Sequence, residues 1–360
     1  MTKPMPLVSV MMPAYNAGRY LGGAIQSVLG QTYRELELIV VDDGSTDETP
    51  EIVSRFQDAR VVYVRQENQG EAGARNTALE HVRGEYLAFL DADDEHLPDH
   101  ISRTVEYLER FRERDAVYTD GYYIDREGRR LGALSENRRG PFEGRIFDEV
   151  VRASDVFGPP ICVVLRTELV KQAGLRFDTR IVIGPDWDFL VRVADLAQFG
   201  YLEDKTCLYR LHETNISVQV ERERRYGYLR LCRENAIQMP SFAACAEDVK
   251  AAVFYDLMVE LSDGQYDRRL DITRRPPFKG LAPSTRAWLF RMIAGKAILD
   301  GAEDRIVQHC LEMSRTLLPS DWKGRLLTTA YRLHPGISKA LLRIKRSRQE
   351  VGARASAGRS

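Results

Sequence analysis

No stretch of these 360 residues approaches the roughly 20 consecutive apolar positions that a bilayer-spanning helix needs, and no apolar leader core precedes the first strand-like run. The expectation is a soluble, cytoplasmic chain. Cysteine is sparse: Cys162, Cys207, Cys232, Cys245 and Cys310 are scattered, odd in number and without a Cys-x-x-Cys pair. That argues against a disulfide framework or a zinc site and for reduced, packed thiols. Net charge is also lacking, since 52 Lys and Arg stand against 53 Asp and Glu, which argues against wholesale nucleic-acid binding. There is no internal repeat, and no low-complexity block apart from the final tail. The length exceeds what one core usually supports, so one large α/β domain with a smaller appendage is expected.

What the chain does have is acid where apolar runs stop. Leu87-Ala88-Phe89-Leu90 ends in Asp91, Asp93 and Asp94, and Glu37-Leu38-Ile39-Val40-Val41 ends in Asp42 and Asp43. Each run reads as a buried strand, so the acids lie at the carboxyl edge of a sheet, where open α/β proteins bind ligands. Crowded carboxylates repel one another unless a cation or solvent intervenes, and a hard divalent ion that also bridges phosphate oxygens fits such a cluster. A solvated turn that opens the next helix explains part of the pattern. Gly44 permits a sharp turn, and Ser45 with Glu48 has the spacing of a helix capping box, but Asp42 and Asp43 stay unexplained. A further run, Leu7 to Met12, breaks at Pro13-Ala14-Tyr15-Asn16-Ala17-Gly18 before an apolar-periodic helix with Leu21, Ile25, Val28 and Leu29. Three strands that each enter a helix through a polar loop predict a parallel sheet with the loops along one edge.

Farther along, a strand is expected near Ala116-Val117-Tyr118-Thr119 and another near Ile161 to Leu165, with an amphipathic helix from Trp187 to about Gln198. Residues 126–145, rich in Gly, Arg and Glu, read as a loop excursion. From about Glu221 the pattern turns helical, broken at Asp263-Gly264 and Arg275-Pro276-Pro277. The expected division is 1–220 for the α/β domain, 221–345 for a helical region and 346–360 for a basic tail without packed structure. An apolar helix with Ile337, Leu341, Leu342 and Ile344 precedes that tail; it reads either as a solvated helix with a disordered end or as a segment for peripheral contact with an anionic membrane.

Val8 to Asn16, Ile39 to Asp47, Gly73-Ala74-Arg75-Asn76 and Leu90 to Asp94 resemble, in order and spacing, the amino-terminal half of glycosyltransferase family 2. The resemblance implies a GT-A fold, a Rossmann-like and mostly parallel sheet flanked by helices, with a nucleotide-sugar donor, a divalent metal (Mn²⁺ or Mg²⁺) and an inverting mechanism. It implies donor contacts from Pro13, Tyr15, Asp43, Arg75, Asp91 and His212. Tyr15 would lie against the base, and Asp43 would accept the imide N–H of uracil or thymine, which favours a UDP- or dTDP-sugar. The metal is assigned chiefly to Asp93, with Asp91 and His212 beside it; Asp94 is divided between a site role and capping. Ile183-Gly184-Pro185-Asp186-Trp187-Asp188 resembles the family's acid-acid pair, with Pro185 in place of the first acid, so the general base falls on Asp186. Asp188 is its rival, and capping is the bland alternative for Asp186. Tyr209-Arg210-Leu211-His212 resembles the segment that brings a His to the metal or diphosphate, while Asn215 and Ser217 are expected to shape its loop.

Two features are missing from the resemblance. There is no Gln-x-x-Arg-Trp motif of processive synthases, and no Gly-rich triphosphate loop of a nucleotidyltransferase follows the first strand. Transfer of one sugar to a glycan or lipid-linked hydroxyl in cell-surface polysaccharide assembly is the expectation. A nucleotide-sugar binder without turnover and a sugar-phosphate nucleotidyltransferase are the alternatives.

Overall fold

Four successive strands, β1 (Val8–Ala14), β2 (Leu36–Asp42), β3 (Val61–Arg65) and β4 (Tyr86–Phe89), alternate with helices α1 (Leu21–Leu29), α2 (Thr49–Ser54) and α3 (Gly70–His81) in the computed structural model, which describes residues 4–213, 222–262 and 264–343. They pair in parallel in the order β3-β2-β1-β4. β1 and β2 are almost wholly buried, as expected of strands covered on both faces. Their polar members pair with each other: Ser9 donates to Glu37 at 2.6 Å, and Glu37 accepts from Arg83 Nε at 2.8 Å. Met11 sits beside both Ile39 and Phe89, and Ala14 beside Asp42, so the carboxyl ends of β1, β2 and β4 are level. The loops that follow gather at one edge, as the sequence pattern predicts.

Beyond β4 the sheet becomes mixed. A two-residue β5 (Glu95–His96) leads to α4 (His100–Arg110) and then β6 (Ala116–Ile124), β7 (Arg130–Ala133), α5 (Phe147–Arg152), β8 (Val163–Arg166), α6 (Thr167–Gln172), α7 (Pro185–Leu196), β9 (Phe199–Arg210) and α8 (Arg222–Ala236). β8 runs antiparallel between β4 and β6, β9 lies parallel to β6, and β5 closes the edge antiparallel to β9. Residues 126–145, expected as an excursion, carry β7 and a 3₁₀ turn, Leu134–Asn137. Their order comes from long-range pairs: Arg139 meets Asp155 at 2.7 Å and Glu149 at 2.8 Å, and Leu134 is fully buried.

The chain forms two compact units, one ending at Phe242 and one beginning at Ala243. The division falls at 242/243 and not at 220/221 because α8 packs on α7. Asn235 donates to Asp188 at 2.8 Å, and the Arg233 guanidinium lies 4.8 Å from the Trp187 ring centre. The second unit is helical, with α9 (Glu247–Tyr255), α10 (Tyr266–Arg274), α11 (Pro276–Lys279), α12 (Pro283–Asp300), α13 (Asp304–Leu317) and α14 (Trp322–Leu333) around buried Phe254, Phe278, Leu289 and Phe290. Asn215, Ser217 and residues 344–360, including the basic tail, lie outside the described residues.

Candidate active site

The loops after β1 and β2 are bolted together by backbone donors. Asn16, Ala17 and Gly18 give their N–H groups to Ser45 Oγ, Thr49 Oγ1 and Asp47 Oδ2, each at 2.9 Å. Asn16 is left-handed at φ 49, which suits Asn, and its side-chain oxygen accepts from Thr46 N–H at 2.9 Å. Ser45 therefore serves the neighbouring loop and does not form a capping box with Glu48; α2 begins at Thr49, whose N–H bonds Asp47. Gly44 does take the positive φ expected of it, 78°.

Asp42 is consumed by this architecture. It is fully buried, accepting from Ser45 N–H at 2.8 Å and Tyr63 OH at 2.7 Å. Asp43, also buried, uses only Oδ1, which accepts from Gln66 at 2.7 Å and Gln69 N–H at 2.8 Å. Its Oδ2 takes no hydrogen bond among the described residues. Asp43 N–H bonds Ala14 O, so this carboxylate stands beside the β1 end. There Pro13 is half-buried and Tyr15 is 54% exposed.

The second acid group is crowded. Arg75, on α3 and almost wholly buried, bridges Asp91 at 2.7 Å and Glu71 at 2.9 Å, and its guanidinium lies 5.5 Å from the Phe177 ring centre. Its Nη1 is buried without a hydrogen-bond partner, an open donor for an anion. Burial pushes the Glu71 carboxyl up to about 7. Arg75 opposes that rise, and Asp91, Asp186 and Asp93 add to it. Asp91 is likewise raised by burial, against Arg75 and with help from Asp93 and Asp186. Four acids from three separate segments thus share one site. The sequence reading missed Glu71, although its spacing of four from Arg75 on a helix is a local signal.

Asp93 and His212 meet because β5 runs beside the end of β9. His212 Nε2 lies 2.8 Å from Asp93 Oδ2, and the His212 ring is 5.2 Å from Tyr20. Arg210 secures this junction: its N–H bonds Asp94 at 2.7 Å, its Nε bonds Asp93 O at 2.8 Å, and its Nη2 pairs with Glu95 at 2.6 Å. Asp94 is neither cap nor solvent-facing; it is fully buried and clamps β9, and burial, with Asp93 and Asp91, holds its carboxyl well above the usual range. Arg210 was not singled out from sequence.

Asp186 enters from α7. Asn76, next to Arg75, exchanges two hydrogen bonds with the Phe177 backbone at 2.8 and 2.9 Å, and Phe177 stacks on Phe189 at 4.2 Å. This ties the α7 segment to α3. Gly184 at φ 77 precedes Pro185, the first residue of α7. No hydrogen bond from a described residue reaches the Asp186 carboxylate, whose charge is felt by Glu71, Asp91 and Arg75. Asp188 is turned elsewhere: buried, it pairs with Arg192 at 2.5 Å and accepts from Asn235.

A divalent cation fits Asp93 and His212 in donor chemistry, since a carboxylate and an imidazole are both accepted by Mn²⁺-class ions and a diphosphate supplies the remaining oxygens. Asp91, held by Arg75, does not complete a three-residue cage with them. Among the described residues the only such close group is His96, His100 and Cys207. That group is a packed network. The two rings stack at 3.9 Å, unlike imidazoles splayed about one ion, and His96 Nε2 and Cys207 Sγ both bond Ile161 O. Burial keeps both histidines neutral, pushing His96 down to about 4. All five cysteines are buried outside any disulfide, packed as expected.

Residues 9–173 match the family model described as glycosyl transferase family 2. An uncharacterized glycosyltransferase of Methanocaldococcus jannaschii is 29% identical over 233 residues, 63% of this chain and 78% of that protein. A chondroitin synthase of Escherichia coli is 32% identical over 222 residues, covering 60% of this chain but 31% of the relative. A UDP-Glc:alpha-D-GlcNAc-diphosphoundecaprenol beta-1,3-glucosyltransferase of Escherichia coli is 37% identical over 124 residues, 34% of this chain and 49% of its own. The fold is similar to that of S. aureus TarS 1–349 in complex with UDP-GlcNAc, with a TM-score of 0.57, 18% identity and coverage of 88% of this chain and 92% of the other. It is also similar to the Pyrobaculum calidifontis mannosyltransferase PcManGT in complex with GDP-Man and Mn²⁺, at 0.50, 22% and 88% of each chain.

Proposed function

The chain belongs to glycosyltransferase family 2, with a GT-A fold and a helical carboxyl-terminal region, and from that premise we propose that it moves one sugar from a UDP- or dTDP-sugar to a hydroxyl of a glycan or lipid-linked acceptor, with metal assistance and inversion. The observation that carries the proposal is the Asp186 carboxylate, which takes no hydrogen bond among the described residues and whose charge acts on Arg75, Glu71 and Asp91. Asp186 takes the acceptor proton as the hydroxyl oxygen attacks the anomeric carbon, and the bond to the diphosphate breaks on the opposite face. Asp93 and His212 would hold the cation, which when bound offsets the charge growing on the departing phosphate. Arg75 presents its open Nη1 to the diphosphate while keeping Asp91 in place.

The open oxygen of Asp43 supports a uracil or thymine base, with Tyr15 laid against it. The names of two similar proteins, one using UDP-Glc and one bound to UDP-GlcNAc, lean the same way; the GDP-Man complex leans against it. An acceptor carried on a lipid diphosphate would place the reaction beside a membrane. The rival reading, binding without turnover, rests on Pro185. Yet Pro185 only opens α7, and among the described residues no hydrogen bond occupies the Asp186 carboxylate.

A melting screen of nucleoside diphosphates and their sugars, with and without Mn²⁺, tests the donor class, because a specific ligand stabilises the fold it binds. Uridine or thymidine compounds should raise the melting temperature, more so with metal. Insensitivity to every nucleotide would overturn the proposal, and stabilisation by guanosine compounds alone would overturn the role of Asp43.

A further inference from the structure

Five of the twelve exposed large apolar side chains among the described residues fall within one short stretch: Trp322, Leu326, Leu333, Ile337 and Leu341. Trp322 is 62% and Leu333 73% exposed. On α14 the spacings of four and seven put Trp322, Leu326 and Leu333 on one face. The opposite face is occupied, with Gly324, Leu327, Ala330 and Tyr331 buried and Tyr331 bonded to Asp304. In the helical turns of residues 335–343, Ile337 and Leu341 are exposed while Ser338 is buried and Leu342 packs against Gly295 of α12. These contacts within the second unit prevent either helix from turning its exposed row inward.

Charge sharpens the picture. From Trp322 to Gln349 the sequence holds Lys323, Arg325, Arg332, Lys339, Arg343, Lys345, Arg346 and Arg348 and no acid, in a chain whose totals are 52 basic and 53 acidic residues. The acid just before this stretch, Asp321, is withdrawn: it pairs with Arg291 and caps α14. An apolar row with a Trp, flanked by cations alone, matches the interface of an anionic bilayer, where indole sits at the headgroup level and Lys and Arg meet phosphate.

We propose that α14 and residues 335–343 form a docking surface for an anionic lipid surface. The contact starts at Trp322, well upstream of the basic tail, and the helical unit is thereby the part that meets the membrane. The inference stands on the second unit alone and gives the lipid-linked-acceptor reading a location.

Flotation of the full chain with vesicles tests it without donor or acceptor, so its failure leaves the transferase reading standing. The protein should float with phosphatidylcholine vesicles containing phosphatidylglycerol, not with phosphatidylcholine alone, and high salt should weaken the binding. Trp322→Ser with Leu326→Ser, and separately Lys323→Gln with Arg325→Gln, should each lower partitioning about tenfold or more at unchanged melting temperature. The pairs act on different chemistry, so a pair that misfolds leaves the other to decide. Equal binding to neutral vesicles, no binding at all, or full binding by a folded variant pair overturns the proposal. Failure to float together with self-association that the same substitutions abolish assigns the face to a second copy of the chain and overturns it as well.

Discussion

The turns after β2 and β4 begin alike, each a buried strand ending in adjacent or nearly adjacent acids, and they meet opposite fates. After β2, Asp42 is answered by Ser45 N–H and Tyr63 OH, with Arg65 at 3.6 Å, and Asp43 by Gln66 and Gln69, all from nearby chain. After β4, Asp91 and Asp93 face Glu71 and Asp186, with Arg75 and His212 as partners. The first turn has spent most of its acceptors on holding two loops together; in the second, four acids crowd around one buried arginine. A carboxylate's role follows from what stands opposite it, because desolvation and neighbouring charge outweigh identity.

The largest expected break in this contrast comes from Asp186, which takes no hydrogen bond among the described residues. Asp186→Asn should cut turnover by about 10²- to 10⁴-fold while leaving the nucleotide-induced melting shift intact, since a base acts in the chemical step and not in donor binding. Wild-type turnover by this variant would return Asp186 to helix architecture.

Next comes the direct pairing of the two turns. Asp93→Ala should lower turnover by roughly 10²- to 10³-fold, with little change in unfolding free energy and loss of the metal-dependent part of the nucleotide shift. Asp42→Ala should do the reverse. With Tyr63 OH and Ser45 N–H left unanswered, denaturant melts should show a loss of about 1–3 kcal/mol. If Asp42→Ala abolished turnover at unchanged stability, the two turns would not differ as described.

The smallest effect is in the pH dependence of stability. Glu71 titrates near 7 in the folded chain and near 4.5 when unfolded, so the unfolded chain is the first to release the proton as pH rises. The stabilising contribution is whole below about 4.5, shrinks through the interval and is gone above about 7. Relative to Glu71→Gln, the metal-free protein should therefore lose on the order of 1–3 kcal/mol between about pH 5 and pH 8. Parallel urea-melt profiles for the two proteins would remove Glu71 from the crowded site.

Much of the first half was legible because its signals are local. A parallel strand buried on both faces is a near-continuous apolar run, and the polar residues that end it mark the loop. β9 escaped notice because Glu203, Asp204 and Lys205 interrupt its apolar pattern; it is fixed by pairing with β6 across more than eighty residues. α8 looked like part of the appendage until Asn235 and Arg233 were seen to reach α7. In the same way, nothing in the Ser45 to Glu48 spacing announces that Ser45 serves the β1 loop.

The sequence by itself determined where acids end strands, which chain segments alternate between strand and helix, and that the apparatus gathers at one sheet edge. Only the tertiary structure decided which carboxylates are free to act. Asp42, Asp94 and Asp188 are bound into the scaffold, whereas Asp93 meets His212 and Asp186 takes no hydrogen bond among the described residues, their surroundings assembled from segments far apart in sequence. The reason is physical: hydrophobic periodicity is written along the chain, but the electrostatic state of an acid depends on groups that folding brings from elsewhere.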